Sequence, residues 1–184
     1  SIRRRSRRAS APSSCIPSAR GEGWDVALDA EPYRLDIGKA ELLRDGTDIV
    51  IAAIGHTVMP ALKAAQDLAP LGINAAVVNA RFVKPLDKDL LASLLTRVPR
   101  LITVEDHVIS GGFGSAVIEF LADEGINGVE IRRLGVPDRF IPHGTQEELR
   151  KLCGFDKDAI AQAVLQMVRR GKKRSREGWE RGSA

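Results

Sequence analysis

Short apolar runs alternate with amphipathic stretches from Asp48 onward, and this alternation predicts the fold class. The apolar runs are TDIVIAAIG, INAAVVNA, RLITVED and GVEIRRLGV. Each is apolar along most of its length rather than at every second position. Such runs are typical of strands that are buried on both faces of a parallel sheet.

The stretches between and after these runs have helical signals. Thr57 and Asp87 stand at predicted N-caps, and Thr145 with Glu148 three residues later forms a predicted capping box. The predicted helices lie in TVMPALKAAQDLAPLG, DKDLLASLLTRV, GFGSAVIEFLADEG, TQEELRKLCG and DKDAIAQAVLQMVRR. Strand and helix therefore alternate, which predicts an α/β domain with a mostly parallel sheet, helices on both faces and right-handed crossovers.

One further strand is predicted upstream, in YRLDIGKAELLRDG. Leu35 and Ile37 alternate there, and Asp45-Gly46 is a strong turn signal. We therefore expect an N-terminal edge strand that pairs as a hairpin with the strand that starts at Asp48.

The basic charge of the chain is confined to its two ends. Residues 1–20 contain six arginines and no acid, and residues 169–184 contain seven basic and two acidic residues. Because the whole chain carries +4, residues 21–168 are left with a net charge of −7. Neither end interleaves aromatic residues in a stacking pattern, so nucleic-acid binding is not favoured, and both ends are predicted to be disordered.

Two further functional classes are disfavoured by the sequence. No apolar run approaches the roughly 18 residues that span a bilayer, so no membrane partner is expected. Cys15 and Cys153 lie far apart and form no CxxC motif. A reduced, cytoplasmic protein without a zinc site is the prediction.

The stretch EDHVISGGFG, from Glu105 to Gly114, is the first candidate for chemistry. A glycine turn between a strand and a helix can cradle a phosphate on backbone N–H groups. The alternative is a tight turn with a purely structural role. The acids Glu105 and Asp106 would repel a phosphate, and the motif matches neither GxGxxG nor a P-loop, so the structural role is favoured.

The same stretch could supply an acid/base cluster or half of a metal site, through Glu105, Asp106 and His107. Adjacent strand residues point to alternating faces, so these three are not expected to converge on one ion. His56 and His143 also stand beside glycines in loops, and a histidine cluster at the strand ends is an open alternative. No HExxH spacing supports it.

Two other loops hold candidate contacts. Arg81 and Lys84 follow the second strand and could bind a substrate anion, although an ion-pair network or a contact to another domain is favoured. In GVPDRFIPHG, two prolines restrict a loop that carries Phe140 and Ile141. We expect these apolar residues to contact a partner surface.

Several stretches together resemble a known family. DIGKAELLRDGTDIVIAAIGHTV, VVNARFVKPLD, LITVEDHVISGGFGSAV and LGVPDRFIPHGTQEELRKLCGFDKDAI are similar, in this order, to the C-terminal domain of 1-deoxy-D-xylulose-5-phosphate synthases. The resemblance implies a transketolase C-terminal-like fold. The C-terminal domain of another transketolase-like enzyme, such as a 2-oxo acid dehydrogenase beta subunit, and a free-standing binding module are the alternatives.

The resemblance also implies a function for the full-length enzyme. Synthases of this family are thiamine diphosphate-dependent transferases that condense pyruvate with glyceraldehyde 3-phosphate, release CO2 and feed isoprenoid (terpenoid), thiamine and pyridoxal biosynthesis. They use thiamine diphosphate with Mg²⁺, both held by an N-terminal and a pyrimidine-binding domain. The C-terminal domain supports packing and a homodimer, so this fragment is expected to be inactive alone, with no catalytic, cofactor or metal residues of its own.

The resemblance implies a role for one residue of this chain, a contact to the substrate phosphate. The family's pyrimidine-binding domain ends in a segment that contacts the substrate phosphate, and only Arg20-Gly21 matches that segment here. Arg20 is thus the candidate phosphate contact. The resulting domain prediction is a disordered basic tail over 1–19, a linker from a missing pyrimidine-binding domain over 20–34, the transketolase C-terminal-like domain over 35–170, and a disordered basic tail over 171–184.

Overall fold

The computed structural model describes residues 35–182, with side chains as far as Arg170. The predicted tail and linker over 1–34, with Arg20 and Cys15, lie outside the described residues. Within the described part, no helix is long and apolar enough to cross a membrane.

Five strands form one sheet, in the order β1-β3-β2-β4-β5. All neighbouring pairs are parallel except β1 with β3, which is antiparallel. The strands are β1 (Glu41–Arg44), β2 (Ile49–Ala53), β3 (Ala75–Asn79), β4 (Arg100–Val108) and β5 (Glu130–Val136). The predicted mostly parallel sheet with an antiparallel edge strand is therefore confirmed.

Five α-helices accompany the sheet in the described residues. They are α1 (Val58–Leu68), α2 (Lys88–Arg97), α3 (Phe113–Asp123), α4 (Gln146–Cys153) and α5 (Lys157–Gly182). The predicted caps hold at Asp87, whose carboxylate accepts from the Leu90 amide, and at Thr145 with Glu148. Thr57 precedes α1 as predicted, but its hydroxyl makes no cap bond. The hydroxyl lies instead within hydrogen-bond distance of the carbonyl oxygens of Ile54 and Val104, and it donates its one proton to this pair of acceptors.

Alternate residues of the central strands face opposite layers of helices. Val50 and Ala52 of β2 belong to a buried cluster that contains apolar residues of α2 and α3. Their neighbours Ile49 and Ile51 are fully buried as well, and α1 packs against both β3 and α5. Helices thus cover both faces of the sheet, which is why the strands are apolar throughout.

The predicted pairing of the edge strand was wrong. β1 pairs with β3, in a register that sets Glu41 opposite Asn79, and makes no hairpin with β2. Both edges of β2 are already taken by β3 and β4 in parallel pairs. The Asp45-Gly46 turn therefore carries the chain past the start of β3, where a Cβ on Gly46 would collide with the backbone of Ala75 and Ala76.

The structure also differs from the sequence expectation at the C-terminal end. Helix α5 continues to Gly182 and so includes most of the range 171–184 that was predicted to be a disordered tail. Lysine, arginine and glutamate, which are frequent in this range, are good helix formers, and composition alone does not distinguish a solvated helix from a disordered segment.

Candidate functional site

A cleft opens at the carboxyl edge of the sheet, between the ends of β2 and β4. Its volume is about 440 Å³. β2 leads into α1 on one face of the sheet, and β4 leads into α3 on the other, so the two connections diverge and leave a gap. The lining residues come from three loops and the end of β4: Ile54, Gly55, His56, Val83, Glu105, Asp106, His107, Gly111, Gly112 and Phe113.

The carboxylate of Glu105 forms the inner wall of this cleft. It is only 1% exposed and accepts hydrogen bonds from the backbone amides of Phe113 at 2.6 Å and Gly114 at 2.9 Å. These amides belong to the first turn of α3, whose N-terminus favours a negative charge. An internal carboxylate thus takes the place that a bound anion would occupy.

The glycines of the turn are explained by this carboxylate. A Cβ on Gly112 would collide with the Glu105 carboxylate, and a Cβ on Gly114 would come within 2.6 Å of Oγ1 of Thr103. Gly111 adopts φ 77°, which favours glycine. The favoured structural interpretation of the GGFG turn is therefore supported by its contacts.

Asp106, the next residue of β4, also lines the cleft but has different partners from Glu105. Its Oδ2 atom lies 2.8 Å from Nε2 of His56 and 3.9 Å from Nη2 of Arg150. A second cavity of about 200 Å³ lies beyond it, lined by Asp106, Val136, Ile141, Gln146, Leu149, Arg150, Cys153 and Phe155. Asp106 is therefore a wall shared by the two cavities.

The histidine alternative is resolved in part. His56 and His107 both line the 440 Å³ cleft, whereas His143, exposed in the loop after β5, does not. Among residues 35–170, no group of three histidine, cysteine or carboxylate side chains is placed to hold a metal ion.

Arg81 and Lys84 differ in their surroundings. Nη2 of Arg81 lies 2.6 Å from Oε2 of Glu41 in β1, so its charge is paired within the domain. Lys84 is exposed. The pairing of Arg81 with Glu41 agrees with the ion-pair interpretation that the sequence favoured.

The GVPDRFIPHG loop separates its two apolar residues. Phe140 is fully exposed at 104%, as a partner-contacting residue would be, whereas Ile141 lines the smaller cavity. The contacts of Asp106 with His56 and Arg150 were missed at the sequence level. The usable signal was that His56 and Asp106 each follow the apolar part of neighbouring strands.

The family-model comparison matches residues 38–160 to the transketolase C-terminal domain. This match covers more than half of the chain. The chain belongs to the transketolase C-terminal domain family. The fold expected from the resemblance is thereby confirmed.

Relatives within this family include 1-deoxy-D-xylulose-5-phosphate synthases. Synthase 1 of Geobacter metallireducens is 55% identical over 145 residues, which cover 79% of this chain and 23% of the relative. The synthase of Halothermothrix orenii is 48% identical over 149 residues, 81% of this chain and 23% of the relative. This member of the transketolase C-terminal domain family thus spans about a quarter of the length of these synthases.

Solved structures agree on the fold. A split-gene transketolase described as an inactive beta4 tetramer has a TM-score of 0.68 and 32% identity, over 74% of this chain and 44% of that chain. A transketolase mutant from Pichia stipitis has a TM-score of 0.52 and 23% identity, over 74% of this chain and 19% of that chain. The second likeness shows the shared fold alone.

The glycine turn after β4 does not fit the diphosphate that the synthase family implies for the full enzyme. The glycine turn that could cradle a diphosphate has the Phe113 and Gly114 amides bonded to Glu105. A diphosphate there would face the carboxylates of Glu105 and Asp106.

Proposed function

We propose that this chain is the C-terminal domain of a 1-deoxy-D-xylulose-5-phosphate synthase. The full enzyme condenses pyruvate with glyceraldehyde 3-phosphate and releases CO2 in the cytoplasm. The N-terminal and pyrimidine-binding domains of the same enzyme hold thiamine diphosphate and Mg²⁺. Arg20, in the linker at the start of this chain, contributes a contact to the substrate phosphate. This domain contributes packing and homodimer contacts and is catalytically silent alone.

One observation carries the proposal. Synthases match about four fifths of this chain at 48–55% identity, yet the match covers only 23% of each synthase. Identity of this level over a whole domain supports a shared role in the larger enzyme. The Glu105 carboxylate at the N-terminus of α3 is in keeping with a domain that leaves the diphosphate to its neighbours.

The alternative is the C-terminal domain of a 2-oxo acid dehydrogenase beta subunit. The similarity to synthases favours the synthase over this alternative. The observation that would favour a free-standing binding module is the cleft at the carboxyl edge of the sheet.

A domain exchange tests the proposed role. Residues 38–160 would replace the matching C-terminal region of the Geobacter metallireducens synthase 1, and product formation from pyruvate and glyceraldehyde 3-phosphate would be measured. We expect the chimera to keep at least a tenth of the parent activity and to sediment as the parent does.

Two controls make the exchange decisive. The parent shortened by the same region is expected to lose activity, as is a chimera that carries the domain of the Pichia stipitis transketolase, which is 23% identical to this chain. The chain alone is expected to form no product and, by calorimetry, to bind no thiamine diphosphate. A folded but inactive chimera, or product formed by the chain alone, would refute the proposal.

A further inference from the structure

The 440 Å³ cleft lies where ligands bind in sheets of this kind. In open parallel sheets, ligands bind outside the carboxyl ends of the strands, at the point where the strand order reverses. Here the chain passes from β2 to β3 on one side and from β4 to β5 on the other, so the reversal falls between β2 and β4. A volume of about 440 Å³ is within the roughly 300–1,000 Å³ of small-molecule sites.

We propose that this cleft binds a flat, uncharged heteroaromatic molecule that carries an amino group and is about the size of a nucleoside. Its walls suit a flat ring. Ile54 and Val83 present apolar surface, and Gly55 and Gly111 leave room, since a Cβ on either would meet no atom within 4 Å. A ring can therefore approach the backbone closely at both glycines.

The polar wall requires a hydrogen-bond donor on the ligand. The Asp106 carboxylate accepts hydrogen bonds only, and it is held in place by Nε2 of His56 at 2.8 Å. An amino group on the ring provides donors for this carboxylate. His107, on the same strand, offers an imidazole nitrogen to a neighbouring ring atom.

The same geometry disfavours anions. The amides of Phe113 and Gly114, which would otherwise receive a phosphate, already donate to Glu105. Asp106 adds a second carboxylate to the cleft wall. A charged phosphate on the ligand would therefore weaken binding, in contrast to nucleotide sites at helix N-termini.

Adenosine is a suitable probe, with inosine and adenosine monophosphate as matched controls. Inosine replaces the amino group with a carbonyl, and the monophosphate adds the anion. In ¹H–¹⁵N spectra of the full chain, we expect adenosine to shift the amides of Gly55, His107 and Gly111 in a saturable manner. The dissociation constants of inosine and of the monophosphate should be at least fivefold higher than that of adenosine.

Two equally exposed apolar residues give a matched pair of variants. Val83 is 37% exposed at the cleft and Ile118 is 38% exposed on α3, outside the cleft. Val83→Trp should raise the dissociation constant for adenosine at least tenfold, whereas Ile118→Trp should leave it unchanged. Asp106→Asn introduces a donor beside the acceptor and should remove the preference for adenosine over inosine, with folding checked by thermal melting.

The proposal stands or falls independently of the synthase function. It is overturned if millimolar adenosine leaves the three cleft amides unshifted, or if inosine or the monophosphate binds as tightly as adenosine. Binding that persists unchanged in a folded Val83→Trp variant would also overturn it.

Discussion

The buried carboxylate of Glu105 is stabilised by the residues around it. Two backbone amides of α3 donate to it, and Gly112 leaves the space in which it lies. A buried carboxylate without such donors would be strongly destabilising. Glu105, Gly112 and the first turn of α3 therefore form one structural unit.

We expect Glu105→Ala to lower the free energy of unfolding by about 2–4 kcal/mol, because two buried amides lose their acceptor. Urea denaturation measures this change. Glu105→Gln keeps one acceptor oxygen and should lose less. The matched control is Glu119→Ala, on the exposed side of the same helix, which should change the free energy by less than about 0.5 kcal/mol. Equal urea midpoints for Glu105→Ala and Glu119→Ala would contradict the assigned role.

Residue patterns anticipated part of this site. The strand period agrees with the different partners of Glu105 and Asp106, which contact α3 and His56 respectively. That the acids disfavour a phosphate stays a prediction. The ion-pair partners of Arg81 and Asp106 could not be predicted from the sequence. Arg81 pairs with Glu41, 40 positions away, and Asp106 pairs with His56, 50 positions away. Such pairs depend on strand order, which residue types do not specify.

Helix α4 illustrates a signal that is local and therefore predictable. Thr145 and Glu148 satisfy each other's backbone amides, as the spacing predicts. The backbone amide of Thr145 first, and its hydroxyl second, hold the pKa of Glu148 below its ordinary value of 4.5. Because this folded-state pKa is lowered, the capping box stabilises the helix above pH 4.5, and the contribution is lost as the pH falls through the folded-state pKa.

Replacing the hydroxyl gives a direct test of this capping box. Thr145→Ala removes the second donor and should raise the pKa of Glu148 part of the way back toward 4.5, as followed by ¹³C NMR titration of the side-chain carboxyl. Thr145→Ser retains both donors and should leave the pKa where it is. An unchanged pKa in the alanine variant would show that the hydroxyl does not contribute.

The edge strand shows where prediction at the scale of elements fails. Its existence, its edge position and its antiparallel sense followed from the turn at Asp45-Gly46. The alternation of Leu35 and Ile37 did not locate it, because both residues precede β1, in coil and a turn. The choice of β3 as partner did not follow from the turn, because it is decided by competition for the edges of β2. A turn motif predicts that the chain reverses direction, but it does not specify which strand the edge strand pairs with.

At the scale of the whole molecule, the fold class was predictable because apolar strands and amphipathic helices alternate in a simple order. The family followed from motifs distributed over the same segment. The occupant of the 440 Å³ cleft did not, since a cleft is formed by loops whose positions relative to each other are not encoded locally.

The extent of the folded unit can be tested by truncation. All of the buried apolar residues described for α5 precede Arg170: Ile160, Ala163, Val164, Met167 and Val168. A chain that ends at Arg170 should therefore keep its melting temperature within about 4 °C, which corresponds to less than roughly 1 kcal/mol. A chain that ends at Asp156 should not fold, because each buried aliphatic side chain contributes about 1.5–3 kcal/mol.

Calorimetric melting of the two shortened chains distinguishes these outcomes. A large loss of stability in the chain that ends at Arg170 would mean that the continuation of α5 to Gly182 packs on the domain. A cooperative transition in the chain that ends at Asp156 would mean that α1 is stable without α5.

Asp106 lies between the 440 Å³ cleft and the 200 Å³ cavity. Its carboxylate lines both cavities, and its Oδ2 atom contacts His56 and lies near Arg150 of α4. Because this one side chain lines both cavities, a change in its conformation would alter the shape of both.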